Sequence, residues 1–142
     1  MNAELSWKFF ALGSAVFAAM TAIFGKIGVS EINSNVATFL RTIVILIISA
    51  VWITFRKDWV NPTIMSSKGI IFLILSGIAT GLSWLCYYKA LQIGDVSKVA
   101  PIDKLSVVLV VIFAIIFLGE SISLKSGLGI ALITCGVLII AW

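Results

Sequence analysis

Residues Val36–Phe55 read VATFLRTIVILIISAVWITF, twenty residues carrying one charge, Arg41. As a helix rising 1.5 Å per residue, the run is about 30 Å long, the thickness of a bilayer's hydrocarbon core. It is apolar without alternation, which predicts a helix rather than a strand of a membrane barrel. Four further stretches read the same way: Trp7–Lys26, Gly69–Leu91, Val99–Leu118 and Leu124–Trp142. Each spans about 19 to 23 residues, and roughly 20 suffice to cross. Across the 142 residues, 61% are apolar, 11% are charged and the mean hydropathy is +1.20. A soluble domain carries about 25% charge. The expected fold class is therefore an all-α integral membrane protein, with residues 1–142 forming one domain of five transmembrane helices.

Composition also excludes function classes. The net charge of +4 lies mostly at the ends of the apolar stretches, where membrane proteins keep their cations, so it does not point to nucleic acid. Cys86 and Cys135 both fall inside predicted spans and form no metal-binding spacing, so they read as packing residues. The chain has no histidine, the usual general base and commonest metal ligand. No enzyme, metal site or cofactor is expected. The first stretch is too long for a signal-peptide core and lacks a small-residue cleavage site behind it, so it reads as a retained span. Nothing resembles a nucleotide-binding loop, so ATP is not the expected energy source.

The connections are short. Ile27–Asn35 carries Gly28, Ser30, Asn33, Ser34 and Asn35, which suit a turn and a helix N-cap. Arg56-Lys57-Asp58 with Asn61-Pro62 separates the second helix from the third. Gly94-Asp95 precedes the fourth helix, and Gly119-Glu120-Ser121 ends it. Loops this short predict antiparallel neighbours and, for five spans, termini on opposite sides. Lys8, Arg56, Lys57, Lys68 and Lys125 fall on one side, against Lys26, Lys89 and Lys98 on the other. Five cations against three lean toward a cytoplasmic N-terminus yet permit insertion both ways. Small residues recur at helical spacing, with Ala11, Ala15 and Ala19 in the first helix, then Ala18 and Ala22, and Gly25 beyond. The third helix has a strict GxxxG at Gly77 and Gly81. Such stripes let helices approach closely, as packing surfaces or as the wall of a substrate groove.

A charge placed centrally in a membrane helix costs about 2.5 to 3.5 kcal/mol, so polar groups inside spans are site candidates. Arg41 sits about five residues into its helix. It either snorkels to the headgroups or faces the bundle and binds an anionic group. Asp103 and Lys104 follow Pro101, and as helical neighbours they point about 100° apart, so they are not expected to share a site. Pro101 is either a first-turn proline or an interruption that frees carbonyls, as in the broken helices of transporters. Trp84 and Tyr88 lie on the face of Gly77 and Gly81. They either stack on a substrate or, with Tyr87, form an interfacial belt. Glu120 at the end of the fourth helix would pair with Lys125 or cap the fifth helix.

Several of these residues fall in a recognisable order. The segment Tyr87-Tyr88-Lys89-Ala90-Leu91-Gln92-Ile93-Gly94-Asp95-Val96-Ser97-Lys98-Val99-Ala100-Pro101 resembles the junction of the third and fourth helices in EamA-type members of the drug/metabolite transporter superfamily. Leu105-Ser106, the Leu118-Gly119-Glu120 ending and Arg41-Thr42 resemble the same family, so the resemblance covers essentially the whole chain. Most of that family has ten helices in two inverted five-helix repeats, and this chain corresponds to one repeat. The resemblance implies that two copies supply both halves, most simply as an antiparallel homodimer in the cell (inner) membrane. It further implies a multi-pass secondary transporter that moves a small metabolite, anionic or amphipathic in character, by alternating access. Carried over by position, Arg41, Trp84, Tyr88 and Lys104 border a cavity and bind substrate, Asp103 and Glu120 are the acids available for proton coupling, and the last helix packs at the periphery. The alternative is a non-transporting small membrane subunit that packs on a larger partner by its Ala and GxxxG stripes.

Overall fold

All five apolar stretches are helical, with ends set by caps more than by the polarity of the residues between them. The computed structural model describes residues 3–61 and 64–141; Pro62 and Trp142 lie outside them. Helix α1 is Ala3–Glu31, α2 is Ser34–Arg56 and α3 is Ser67–Ile93. The fourth span consists of α4, Val96–Asp103, and α5, Ser106–Phe113, followed by a π-helical turn over Ala114–Leu118; α6 is Leu124–Ala141. The segments Trp7–Glu31, Ser34–Arg56, Ser67–Ile93, Val96–Leu118 and Leu124–Ala141 are each long and apolar enough to cross a membrane. No strand occurs among the described residues.

The first connection is shorter than its sequence suggests. Residues 27–31 continue α1, because the Ser30 hydroxyl donates to the Ile27 carbonyl within the helix and the Ile32 N–H still reaches Gly28. Only Ile32 and Asn33 link α1 to α2. Asn33 is the cap: its side chain accepts from the Asn35 N–H at 2.9 Å and its carbonyl from Ala37. At the other end Lys57 turns left-handed, at φ 58°, so that the Lys57 and Asp58 N–H groups return to the Thr54 and Ile53 carbonyls. Lys26 is therefore a residue of α1 and not a loop charge.

By packing, the chain divides into two compact units, Met1–Ile93 and Gly94–Trp142. In the first, α3 packs on both α1 and α2. What is buried there is small or polar, Ala22, Ser34 and Thr38, together with Val29, Leu91 and Tyr88. Phe9, Phe17, Phe39, Phe55 and Phe72 point outward, as they do where lipid is the solvent. The alanine stripes of α1 contribute only Ala22, since Ala11, Ala15, Ala18 and Ala19 are exposed. The close approach is made instead at Gly25, where a Cβ would stand 3.2 Å from the Tyr88 hydroxyl and 3.4 Å from Leu91. Next to it, α1 and α3 cap each other. Lys26 Nζ donates to the Leu91 carbonyl at 2.7 Å, and Gln92 Nε2 donates to the Val29 and Ile32 carbonyls at 3.4 Å. Each side chain satisfies carbonyls at the partner's C-terminal end, where no intrahelical donor remains.

In the second unit α4 and α5 both touch α6. Pro101 lies in the second turn of α4, not the first, because that helix starts at Val96 behind Asp95. Its ring supplies no N–H to the Ser97 carbonyl. The fourth span is not one continuous helix. Beyond Pro101, Lys104 bonds back to Pro101, Leu105 to Ile102, Val107 to Lys104 and Val108 to Leu105, the tighter i→i−3 pattern that separates α4 from α5. The π turn closes at Gly119, whose φ of 70° lets both its own N–H and that of Glu120 reach the Ala114 carbonyl. Ser123 starts α6, its hydroxyl accepting from the Ser126 N–H at 3.1 Å. Glu120 therefore neither caps α6 nor, among the described residues, forms an ion pair with Lys125.

Gly25→Val should wedge α1 off α3 and cost about 1 to 3 kcal/mol, as overpacking of a close contact does. A lowered thermal midpoint of the detergent-solubilised protein is the expected readout, with Gly13→Val, at a position open to its surroundings, unchanged beside it.

Candidate functional site

Arg41 is the charge most deeply embedded in the first unit. With α2 beginning at Ser34, it lies about 10 Å along the helix. Its side chain lies against α3. Its guanidinium carbon sits 3.1 Å from the centre of the Trp84 ring and 5.6 Å from that of Tyr88. Both rings come from α3, four residues apart and so on one face, with centroids 5.8 Å from each other. Tyr87 completes the cluster edge-on, 5.7 Å from Trp84. An aromatic face attracts a cation by about 0.5 to 2 kcal/mol, more as water is removed, which offsets part of the cost of holding Arg41 in an apolar layer.

This contact leaves the in-plane donors of the guanidinium unengaged. Among the described residues no carboxylate or carbonyl accepts from Arg41. Beside it a groove of about 330 Å³ runs between the three helices, lined by Thr21, Phe24, Gly25, Gly28 and Ile32 from the α1 side, Ala37, Leu40 and Arg41 from α2, and Tyr88 from α3. Tyr88 is 5% exposed, with its hydroxyl over Gly25, so it faces inward between the helices. Trp84 does not line the groove; it stands behind Arg41. Trp84, expected either to stack on a substrate or to join an interfacial belt, has Arg41 over its ring. Gly28, expected in a turn, lines the groove, as does Gly25 at the end of the small-residue stripe. Their i, i+3 spacing next to Phe24 is the signal in the sequence that marks them.

The remaining candidates lie in the second unit. Asp103 and Lys104 share a contact after all, at 3.3 Å, the long lysine side chain reaching back to the carboxylate of its neighbour. The pair is partly exposed, so it contributes little to stability. Glu120 lines a separate cavity of about 220 Å³ with Ser121, Ser126 and apolar residues of α5, the π turn and α6. Gly77 and Gly81 meet no atom within 4 Å of where a Cβ would stand, so that face of α3 is open in the single chain.

This architecture has relatives. The chain matches the EamA-like transporter family over residues 5–142. A Sinorhizobium protein described as an uncharacterized transporter in the cobO 3' region is 50% identical over 136 residues, covering 96% of this chain and 96% of the relative. An uncharacterized protein of Methanocaldococcus jannaschii is 29% identical over 127 residues, 89% of this chain and 90% of that protein. No solved structure matches the chain. Membrane-length helices, an embedded cation beside an open groove and a family match across nearly every residue agree, and the chain belongs to the EamA-like transporter family.

Proposed function

We propose that this membrane transporter is a secondary transporter that moves a small anionic or amphipathic metabolite by alternating access in the cell (inner) membrane. The observation that carries the reading is Arg41, held on the face of Trp84 at membrane depth while bordering an open groove. A charge kept there without a carboxylate partner needs a function, and binding an anionic group is the one its geometry supports. Arg41 and Tyr88 contact the substrate and Trp84 fixes Arg41, while Lys104, its charge paired with Asp103, is a separate candidate contact in the second unit. Asp103 or Glu120 couples a proton.

Two copies supply the two halves of the transporter as a homodimer, most simply antiparallel, and rock around a site near the midplane. In support, the two relatives are matched over 96% and 90% of their own lengths, so they too are about one repeat long. Gly77 and Gly81 are open in the single chain and are the positions proposed to receive the partner copy.

Arg41→Ala and Lys104→Ala should each lower uptake into proteoliposomes by about ten- to a hundredfold, the weight of one charged hydrogen bond, while membrane insertion stays intact. Wild-type rates in both variants remove these residues from the site. Asp103→Asn and Glu120→Gln separate the coupling candidates: the coupling acid is the one whose loss abolishes uptake driven by a pH gradient but spares exchange at equal pH. Assembly is read by a paired topology reporter fused after Trp142. Signal from both sides of the membrane is expected for an antiparallel dimer, and signal from one side only rules it out.

A further inference from the structure

We propose that the groove between α1, α2 and α3 selects small apolar monocarboxylates, binding the carboxylate through the in-plane N–H fork of Arg41 and the hydroxyl of Tyr88. The inference rests on the transport reading for taking this groove as the seat of the cargo, and it adds the chemical class.

A guanidinium offers its donors in its own plane and its flat faces to aromatic rings. With the Arg41 carbon 3.1 Å from the centre of Trp84, one face is taken and the edge remains. An edge of parallel N–H groups matches a planar carboxylate with two bonds, a geometry a lysine cannot reproduce. The Tyr88 hydroxyl also lines this groove, and among the described residues it has no hydrogen-bond partner. It is a second donor toward the same anion.

Charge sets the valence. Among the described residues, Arg41 is the one charged residue lining the groove, and no acidic side chain lines it. One positive charge neutralises a monoanion. A phosphate or dicarboxylate would keep a charge uncompensated in an apolar setting, and an amino acid would bring an ammonium with no acid to receive it. The remaining walls, Phe24, Ile32, Ala37 and Leu40, suit a hydrocarbon body. The volume of about 330 Å³ lies at the small end of ligand pockets, roughly 300 to 1,000 Å³. Gly28 keeps the groove open, with nothing within 4 Å of where its Cβ would stand.

The test is binding to the purified full chain in neutral phosphatidylcholine nanodiscs, measured by calorimetry with hexanoate and phenylacetate as probes. Phenylacetamide, phenylalanine, phenethylamine and phenyl phosphate are the comparators. The carboxylates should bind at least about tenfold more tightly than each comparator, the ratio a lost charged hydrogen bond implies. Arg41→Gln should abolish that preference and Arg41→Lys should not restore it. Tyr88→Phe should weaken binding about fivefold, as loss of one neutral hydrogen bond does. Gly28→Leu adds bulk to the groove from a position where a Cβ meets nothing within 4 Å, so it should block binding while the thermal midpoint shows the protein still folded. Equal binding of amide and carboxylate, preference for the amine, zwitterion or phosphate, or no carboxylate binding at all overturns the proposal. So does loss of carboxylate binding when phosphatidylglycerol is added, since the anion held by Arg41 is then a lipid headgroup. Carboxylate binding without uptake in proteoliposomes supports the site and defeats the transport reading. Uptake of an amine or zwitterion defeats the selectivity and leaves transport standing.

Discussion

In hydrocarbon no water is available to the backbone, so every N–H and C=O must find a partner within the protein. Most do so inside the helices, and the rest of the structure follows from how the ends and breaks are satisfied. Asn33 and Ser123 cap N-termini with side-chain oxygens. Lys57 and Gly119 turn left-handed so that the next N–H groups fold back onto the last carbonyls. At the C-terminal ends of α1 and α3 the solution is tertiary, with Lys26 reaching Leu91 and Gln92 reaching Val29 and Ile32. The same contacts that satisfy the backbone therefore join the helices bordering the groove.

Packing follows from the same solvent. Lipid chains are as apolar as leucine, so large side chains gain nothing by turning inward, and helices associate where small residues let them approach. Gly25 is the clearest case. It brings α1 within van der Waals distance of Tyr88 and Leu91, and the approach determines where the Tyr88 hydroxyl stands. Three residues on, Gly28 has open space above it, so neighbouring glycines of one helix perform opposite tasks, one closing a contact and the other leaving a groove.

A cation at membrane depth is expensive unless something compensates it. An aromatic face compensates Arg41 without consuming its hydrogen-bond donors, which a carboxylate would have done. The charge is thus stabilised and still able to bind an anion. The second unit handles its charges differently. There Lys104 pairs directly with its neighbour Asp103, just where α4 ends.

Much of the fold was legible in the residues. Long unalternating apolar runs have one stable form in a bilayer, so the five spans and their helical state follow from composition and length alone. The ordered motifs from Arg41-Thr42 to Leu118-Gly119-Glu120 pointed to the family, and depth within a span singled out Arg41. Boundaries were less legible, because polar residues such as Ser30 serve a helix as readily as a turn when their hydroxyls bond back to it. The sequence had no means of saying which face Arg41 takes, that Trp84 supports it from behind, or that Gly25 and Gly28 shape the groove. Those depend on how α3 lies against α1 and α2, and periodicity along one helix carries no information on the neighbour it meets. Chemistry along the chain determined that this protein lives in a membrane with a cation set inside a span. Tertiary packing alone decided what that cation faces, because a guanidinium has a face and an edge and only the neighbouring helix chooses between them.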